Sequence, residues 1–98
     1  NYDDMKRAAT IISKDSQSRH YEMVHYRGFK PSLMVYLNKV LKLPNSPEEL
    51  NKLSINQTHY ILYRTNEAPK IWLSNQPITK TWALPNHQLE KIEPHATK

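Results

Sequence analysis

The sequence predicts one small α+β domain in which short helices precede a C-terminal β-hairpin. The first observation is length, because 98 residues are enough for one modest core. The second is an apolar stripe at helical spacing in residues 31–41, followed by a new helix start at Ser46. The third is the alternation of apolar and polar residues in segments 70–73 and 78–82, with turn-forming residues between them.

The chain begins with one predicted helix and one predicted strand. Residues 3–12 have apolar side chains at helical spacing, and two aspartates suit the positive end of the helix dipole. Residues 13–19 are polar and predict a loop. Residues 20–26 are rich in strand-forming side chains, and Arg27-Gly28 then turns the chain.

Two helix starts follow. Pro31 suits the first helical position because the missing N–H would be unpaired there in any case, and Pro44 ends this helix. The segment Ser46-Pro47-Glu48-Glu49 is typical of a capping box, in which the Ser46 hydroxyl accepts from the Glu49 N–H. This predicts a second helix of about two turns.

The middle of the chain has two interpretations. Residues 57–64 favour a strand by composition, yet Ile55, Ile61 and Leu62 also fit the inner face of a short helix. Both interpretations stay open from sequence.

The last third is predicted to contain the hairpin and a short helix. Segments 70–73 and 78–82 form the two strands, and Asn86 is placed to cap a helix that carries Leu89 and Ile92. Residues 1–4 and 93–98 are expected to be flexible ends of one basic domain that spans residues 1–98.

The charge of the chain favours a polyanionic partner. Lys and Arg number 14 against nine Asp and Glu, which gives a net charge of +5 and a pI near 9.5. Residues 23–47 and residues 68–89 contain no acid at all. Such clustering is typical of nucleic-acid binding, although net charge also serves solubility alone.

Composition excludes several classes of function. Without cysteine there is no disulfide and no thiolate zinc site, and a single glycine excludes a glycine-rich phosphate loop. The histidines lack metal-ligand spacing, so we expect no metal and no cofactor. No apolar run approaches the roughly 18 residues of a membrane span, and a cytoplasmic location fits best. No catalytic motif is present, so we expect a non-enzyme, or else a fragment of a larger enzyme.

If residues 57–64 are helical, the order from Pro31 is helix, helix, turn, helix and hairpin. Over residues 31–82 this order, with the pairs Glu49-Leu50 and Leu53-Ser54-Ile55, resembles winged helix-turn-helix DNA-binding domains. The span from Leu50 to Leu53 is one residue shorter than usual in that family, and Ser54 stands where glycine is common. The resemblance implies that the segment after Ile55 enters the major groove beside a hairpin that touches the DNA backbone.

The function implied by this resemblance is non-catalytic binding of duplex DNA, as a regulator or a DNA-processing accessory domain. Short polar and basic side chains would reach base edges, while lysines would contact phosphates. The residues predicted to bind nucleic acid are Asn56, Gln57, Thr58, His59, Arg64, Lys39, Lys42, Lys70, Gln76 and Lys80.

The alternative fold is an α+β domain with a three- or four-stranded antiparallel sheet packed by helices, in which residues 59–64 are a strand. Tyr60, Trp72 and Trp82 on an open sheet would then stack on single-stranded bases. The alternative function is a protein-interaction module, an adaptor or inhibitor, that uses aromatic anchors against an acidic partner.

Overall fold

The structure is a computed structural model that describes residues 3–53, 56–69 and 78–94. The predicted α+β class is confirmed, because these ranges contain helices and a five-stranded mixed sheet. The elements in chain order are α1 (Asp4–Ser16), β1 (Glu22–His25), α2 (Pro31–Leu37), β2 (Leu41–Lys42), α3 (Pro47–Asn51), β3 (His59–Arg64), a 3₁₀ turn (Thr65–Glu67), β4 (Ile78–Ala83) and β5 (His87–Ile92).

The strand order of the sheet is β2-β1-β3-β5-β4. Strand β1 pairs in parallel with β2 and with β3, whereas β5 is antiparallel to β3 and β4. The fully antiparallel sheet of our alternative fold is therefore wrong. The reason is that α2 and α3 act as crossovers between successive strands, and a crossover makes its two strands parallel.

Side chains pack on both faces of the sheet. One face carries α1 and α2, whose Ile12 and Leu33 are completely buried with Met23, Tyr60 and Leu89. The other face carries α3, whose Leu50 is completely buried in a cluster with Val24, Tyr63 and Ile92. No helix in the described ranges has the length and hydropathy that a membrane span requires.

The helix starts predicted at Asp3, Pro31 and Ser46 are confirmed. Pro31 opens α2, and the hydroxyl of Ser46 accepts from the N–H of Glu49 at 3.1 Å at the start of α3. Asp3 accepts from the N–H of Met5 at 2.9 Å and caps α1, and Asp4 is buried. These two residues therefore belong to an ordered helix start and not to a flexible end.

The predicted helix over residues 31–41 is too long. Helix α2 ends at Leu37 because Asn38 adopts a left-handed backbone with φ of 53°, and Lys39 N–H then donates to the carbonyl of Met34. Leu41 is buried in β2 opposite Met23, while Val40 is 81% exposed. The apolar stripe thus combined residues from a helix and a strand.

The predicted helix after Asn86 is wrong, because residues 87–92 form β5. Leu89 and Ile92 lie on opposite faces of the sheet, one in each apolar cluster, as an odd spacing in a strand requires. Residues 78–82 are a strand as predicted, and this strand pairs with β5 among the described residues. The other predicted hairpin strand, residues 70–73, lies outside the described residues.

Residues 59–64 are strand β3, which lies between β1 and β5 at the centre of the sheet. Tyr60, Ile61 and Leu62 are completely buried, because both faces of this strand are covered. The strand interpretation is confirmed. The winged-helix arrangement needs a helix in this segment, so the backbone here does not support it.

Candidate functional site

A cleft opens where the carboxyl ends of the parallel strands β1 and β3 meet. His25 ends β1, Arg64 ends β3, and His87 begins the antiparallel neighbour β5 directly opposite Arg64. Lys30 follows β1 as the residue that precedes α2. The cleft has a volume of about 610 Å³ and is lined by Lys30, Arg64, Thr65, Asn66, Pro85, Asn86 and His87.

The position of this cleft follows from the topology. The chain leaves β1 towards β2 on one side, and it leaves β3 towards β4 and β5 on the other side. Loops that diverge from two adjacent parallel strands leave a crevice between them, which is where open sheets of this kind bind ligands.

Asp4 holds His87 at the wall of the cleft. One carboxylate oxygen of Asp4, Oδ2, accepts from the ring Nδ1 of His87 and from the backbone N–H of Asn86, each at 2.8 Å. Asp4 is 5% exposed, and its Oδ1 has no hydrogen-bond partner among the described residues. Because a carboxylate only accepts, the proton of the neutral imidazole lies on Nδ1, and Nε2 is left as an acceptor.

His25 lies behind this pair as a neutral buried group. Its ring centroid is 6.1 Å from that of His87, and the residue is 3% exposed. Burial, with smaller contributions from the neighbouring His87 and from the positive charges of Lys30 and Arg64, lowers the pKa of His25 to about 4. The pKa of a residue behind the wall thus responds to the positive field of the cleft.

Two cations of the cleft are available to a ligand. Neither Lys30 nor Arg64 has a carboxylate partner in the part of the chain that the structure describes. By contrast, Lys42 pairs with Glu22 at 3.3 Å. An anion in the cleft would therefore meet charges that need not first leave another partner.

A buried ion network lies at the opposite end of β3. Asp15 accepts from the hydroxyl of Tyr60 and pairs with Lys80 and, at 2.8 Å, with Lys91. Burial alone would raise the pKa of Asp15, but hydrogen bonds from Lys80, Lys91 and Tyr60 outweigh it and lower the pKa far below its usual range. This carboxylate stays ionised and holds α1 against the sheet.

The segment proposed to read bases is divided between the two ends of β3. Asn56 and Gln57 are exposed in the loop before the strand, and Thr58 is half-buried there. His59 is 1% exposed, and its Nδ1 is 2.9 Å from the carbonyl of Gln57. Arg64 lies five residues further on, about 16 Å away for a strand of this length. No helical face presents these five side chains together.

The predicted lysines are also dispersed. Lys39 lies over the ring of Tyr21 at 4.4 Å, Lys42 pairs with Glu22, and Lys80 pairs with Asp15. Lys70 and Gln76 lie outside the described residues. Among the predicted residues that the structure describes, only Arg64 lines the cleft.

The aromatic platform of the alternative fold is not formed by Tyr60, which is completely buried. Trp82 is half-buried and packs at 6.3 Å, ring to ring, against Tyr60. Trp72 lies outside the described residues. In a small domain a large aromatic side chain contributes most to stability when it is buried in the core, which explains why the rings of Tyr60 and Trp82 pack inward.

The set of residues predicted to bind nucleic acid omitted Lys30, Asp4, Asn86 and His87. Asp4 and His87 are 83 residues apart, and no short motif contains both of them. The one local signal was the acid-free run from residue 23 to residue 47, which includes Lys30. No group of three or more His, Asp and Glu side chains placed to hold a metal ion occurs within the described ranges.

Comparison of the chain with protein-family models, with curated proteins and with solved structures gave no significant match.

Proposed function

We propose that the protein binds nucleic acid and that one backbone phosphate occupies the cleft at the carboxyl ends of β1 and β3. The observation that carries this proposal is that Lys30 and Arg64, two cations without a described carboxylate partner, line the same cleft. The net charge of +5 supports it, because phosphate neutralisation supplies most of the affinity in such complexes.

The side chains around the cleft match the chemistry of a phosphodiester. The guanidinium of Arg64 suits two non-bridging phosphate oxygens, and Lys30 supplies a point charge. Thr65 and Asn86 supply polar groups on the same wall. A volume of about 610 Å³ is within the usual range for a small-ligand site, so it suits one nucleotide.

A single strand fits this cleft better than a duplex does. A duplex needs an element that enters a groove, and the segment expected to do so is strand β3. A single strand can bend one phosphate into a recess, because its backbone is free to turn. Duplex DNA, which the sequence predicts, therefore serves as the comparison probe.

The test is fluorescence anisotropy with labelled single-stranded RNA, single-stranded DNA and duplex DNA over a range of salt concentrations. We expect the double variant Lys30→Ala and Arg64→Ala to weaken single-strand binding at least tenfold. Because the two cations neutralise one phosphate, their loss should also reduce the slope of log K against log salt by about 0.7. The matched control is Lys6→Ala with Lys14→Ala, which removes the same charge from the exposed side of α1.

Two results would contradict the proposal. One is a cleft variant that binds as tightly as the unchanged protein and with the same salt slope. The other is an equal loss in the α1 control, which would show that only net charge matters.

A second candidate function is binding of an acidic protein partner, which one observation favours. Val35 and Val40 are 77% and 81% exposed, and they lie on either side of the turn at Asn38 that ends α2. Both exposed valines lie in the acid-free run of residues 23–47. Calorimetric titration with acidic peptides that carry leucines at helical spacing tests it. Val35→Ser with Val40→Ser should abolish binding, whereas unchanged binding would contradict this candidate.

A further inference from the structure

We infer that the cleft cleaves RNA, with His87 as the general base that takes the proton of a ribose 2′-hydroxyl. The inference rests on the proposed function, since it requires a nucleic-acid phosphate between Lys30 and Arg64. The observation that supports the cleavage step itself is the pair formed by Asp4 and His87. Oδ2 of Asp4 lies 2.8 Å from Nδ1 of His87, which lines the cleft.

The pair has the arrangement of a general base with its orienting group. Asp4 is buried, and it accepts a second hydrogen bond from the N–H of Asn86, so its carboxylate cannot rotate freely. It fixes the proton of His87 on Nδ1 and stabilises the imidazolium that forms during proton transfer. Nε2, on the other side of the ring, carries the lone pair. The side chain of His87 is 11% exposed and lines the cleft.

The reaction that this arrangement supports is internal transesterification. Nε2 of His87 takes the proton of the 2′-hydroxyl, and the 2′-oxygen forms a bond to the adjacent phosphorus. The bond between phosphorus and the 5′-oxygen breaks, and the 5′-oxygen leaves with the electron pair and takes a proton from water. The products are a 2′,3′-cyclic phosphate and a 5′-hydroxyl, and His87 returns its proton to water.

The two cations act on the charge that develops at phosphorus. The attacked phosphate gains negative charge on its non-bridging oxygens, and Arg64 and Lys30 line the cleft in which it would lie. His25 is neutral and buried, so it adds no charge that would compete for the phosphate. Asp4 is a positioning residue, because it acts only through His87.

The substrate class follows from the nucleophile. RNA supplies its own attacking oxygen next to the phosphate, whereas DNA lacks the 2′-hydroxyl. DNA should therefore bind in the cleft and stay intact. This difference separates failure of cleavage from failure of binding.

The experiment uses a single-stranded RNA labelled at both ends and the same strand with 2′-O-methyl groups. We expect cleavage of the first, with a cyclic phosphate end found by mass spectrometry, and binding without cleavage of the second. His87→Asn keeps a side-chain N–H for Asp4 but has no base. It should cut at least 100-fold more slowly, in line with the usual contribution of a general base, and bind the methylated strand within threefold of the unchanged protein.

Asp4→Asn tests the positioning role. The amide that this change introduces can turn its N–H towards Nδ1, which would place the imidazole proton on Nε2, so the cleavage rate at saturating RNA should fall at least tenfold while the methylated strand binds within threefold of the unchanged protein. A merely structural role of Asp4 would weaken binding of the methylated strand together with cleavage. Circular dichroism and thermal unfolding of both variants establish that they fold.

Three outcomes would overturn the inference. The RNA binds and stays intact; or the His87→Asn protein, purified in the same way, cuts at the rate of the unchanged protein; or cleavage leaves ends other than the cyclic phosphate. Lack of any binding by the methylated strand would overturn the proposed function as well.

Discussion

Asp15 and Lys91 form an ion pair of 2.8 Å that joins the last turn of α1 to the centre of the sheet. The side chains are 9% and 8% exposed, so neither charge can turn to water. The Tyr60 hydroxyl and the more exposed Lys80 complete the set of partners of Asp15. The carboxylate is thus a cross-link between distant parts of the chain.

We predict that Asp15→Asn lowers the free energy of unfolding by about 2–4 kcal/mol, because the buried ammonium of Lys91 loses its close and buried carboxylate partner and keeps only the more exposed Glu93 at 3.7 Å. Lys80→Ala is the matched change on the exposed side of the same carboxylate, and it should cost at most about 1 kcal/mol. Urea unfolding at pH 7 measures both. If the two changes lowered the free energy of unfolding equally, the loss in Asp15→Asn could not be assigned to the buried ammonium of Lys91.

The same carboxylate should make the domain acid-sensitive. The pKa of Asp15 is lowered in the folded protein, so its contribution is complete above the unfolded value of about 4 and is lost as the pH falls further. The unchanged protein should therefore lose more stability between pH 5 and pH 3 than Asp15→Asn does. If the free energy of unfolding fell equally with pH in the two proteins, other acidic groups would be the cause of the lost stability.

His25 should impose a second pH dependence, at a higher pH. Its pKa is about 4 in the folded protein and about 6.5 when unfolded, so between these values only the unfolded chain takes up the proton. Acid therefore favours unfolding. From pH 7.5 to pH 5 this group should cost on the order of 2 kcal/mol of stability.

The measurement is the free energy of unfolding at both pH values for the unchanged protein and for His25→Gln. The difference between pH values should shrink by the amount that His25 contributes. His20→Gln is the control, because that side chain is 63% exposed and its surface pair with Glu22 should contribute little to stability. If the stability of His25→Gln fell between pH 7.5 and pH 5 as much as that of the unchanged protein, the assignment of this pH dependence to the buried, neutral His25 would be contradicted.

Local signals in the sequence predicted the elements that local chemistry determines. Pro31 and the pair Ser46 and Glu49 marked helix starts correctly, because their hydrogen bonds involve residues at most a few positions away. The ends of the helices were harder to predict from the sequence. Leu41 fits a helical stripe and a strand equally well, and only pairing with Met23 in β1 decides between them.

The candidate site could not be predicted from the sequence, because contacts between distant segments bring its residues together. Arg64 was chosen for its charge and its place in the proposed helix, and it reached the cleft as the last residue of a strand. His87 was dismissed for lack of spacing to other histidines, yet its partner is Asp4, 83 residues away. Parallel pairing of β1 and β3 creates the cleft, and no short segment encodes that pairing.

Gly28 is required by the ring of His25. A Cβ atom at position 28 would lie 2.8 Å from Nε2 of His25 and 3.3 Å from two ring carbons. The ring is 3% exposed and cannot move into solvent. We predict that Gly28→Ala lowers stability by about 1–3 kcal/mol, the usual cost of overpacking a buried site.

A double-mutant cycle in thermal unfolding tests the cause. His25→Ala should cost less in the Gly28→Ala background than in the unchanged protein, because removing the ring relieves the clash. Strict additivity of the two changes would indicate that Gly28 is needed for another reason.

Tyr63 and Glu90 form a polar contact inside the face covered by α3. The Tyr63 hydroxyl donates to Oε2 of Glu90 at 2.8 Å, and the two residues are 4% and 9% exposed. Burial, together with this hydrogen bond and the charge of Glu90, raises the pKa of Tyr63, so the phenol keeps its proton and its donor role. Tyr63→Phe leaves a carboxylate without its donor in a nearly dry site.

We therefore predict that Tyr63→Phe lowers the free energy of unfolding at pH 7 by about 1–3 kcal/mol. Tyr36→Phe is the matched control, since the Tyr36 hydroxyl donates to Asp3 at 3.3 Å on the exposed side of α2, and its loss should cost only a few tenths. Adding Glu90→Gln to Tyr63→Phe should recover part of the loss, because a neutral amide is cheaper to bury than a carboxylate. If the double variant regains stability, the cost of Tyr63→Phe comes from the buried Glu90 carboxylate that has lost its donor. A further loss of stability in the double variant would show instead that Glu90 has other partners.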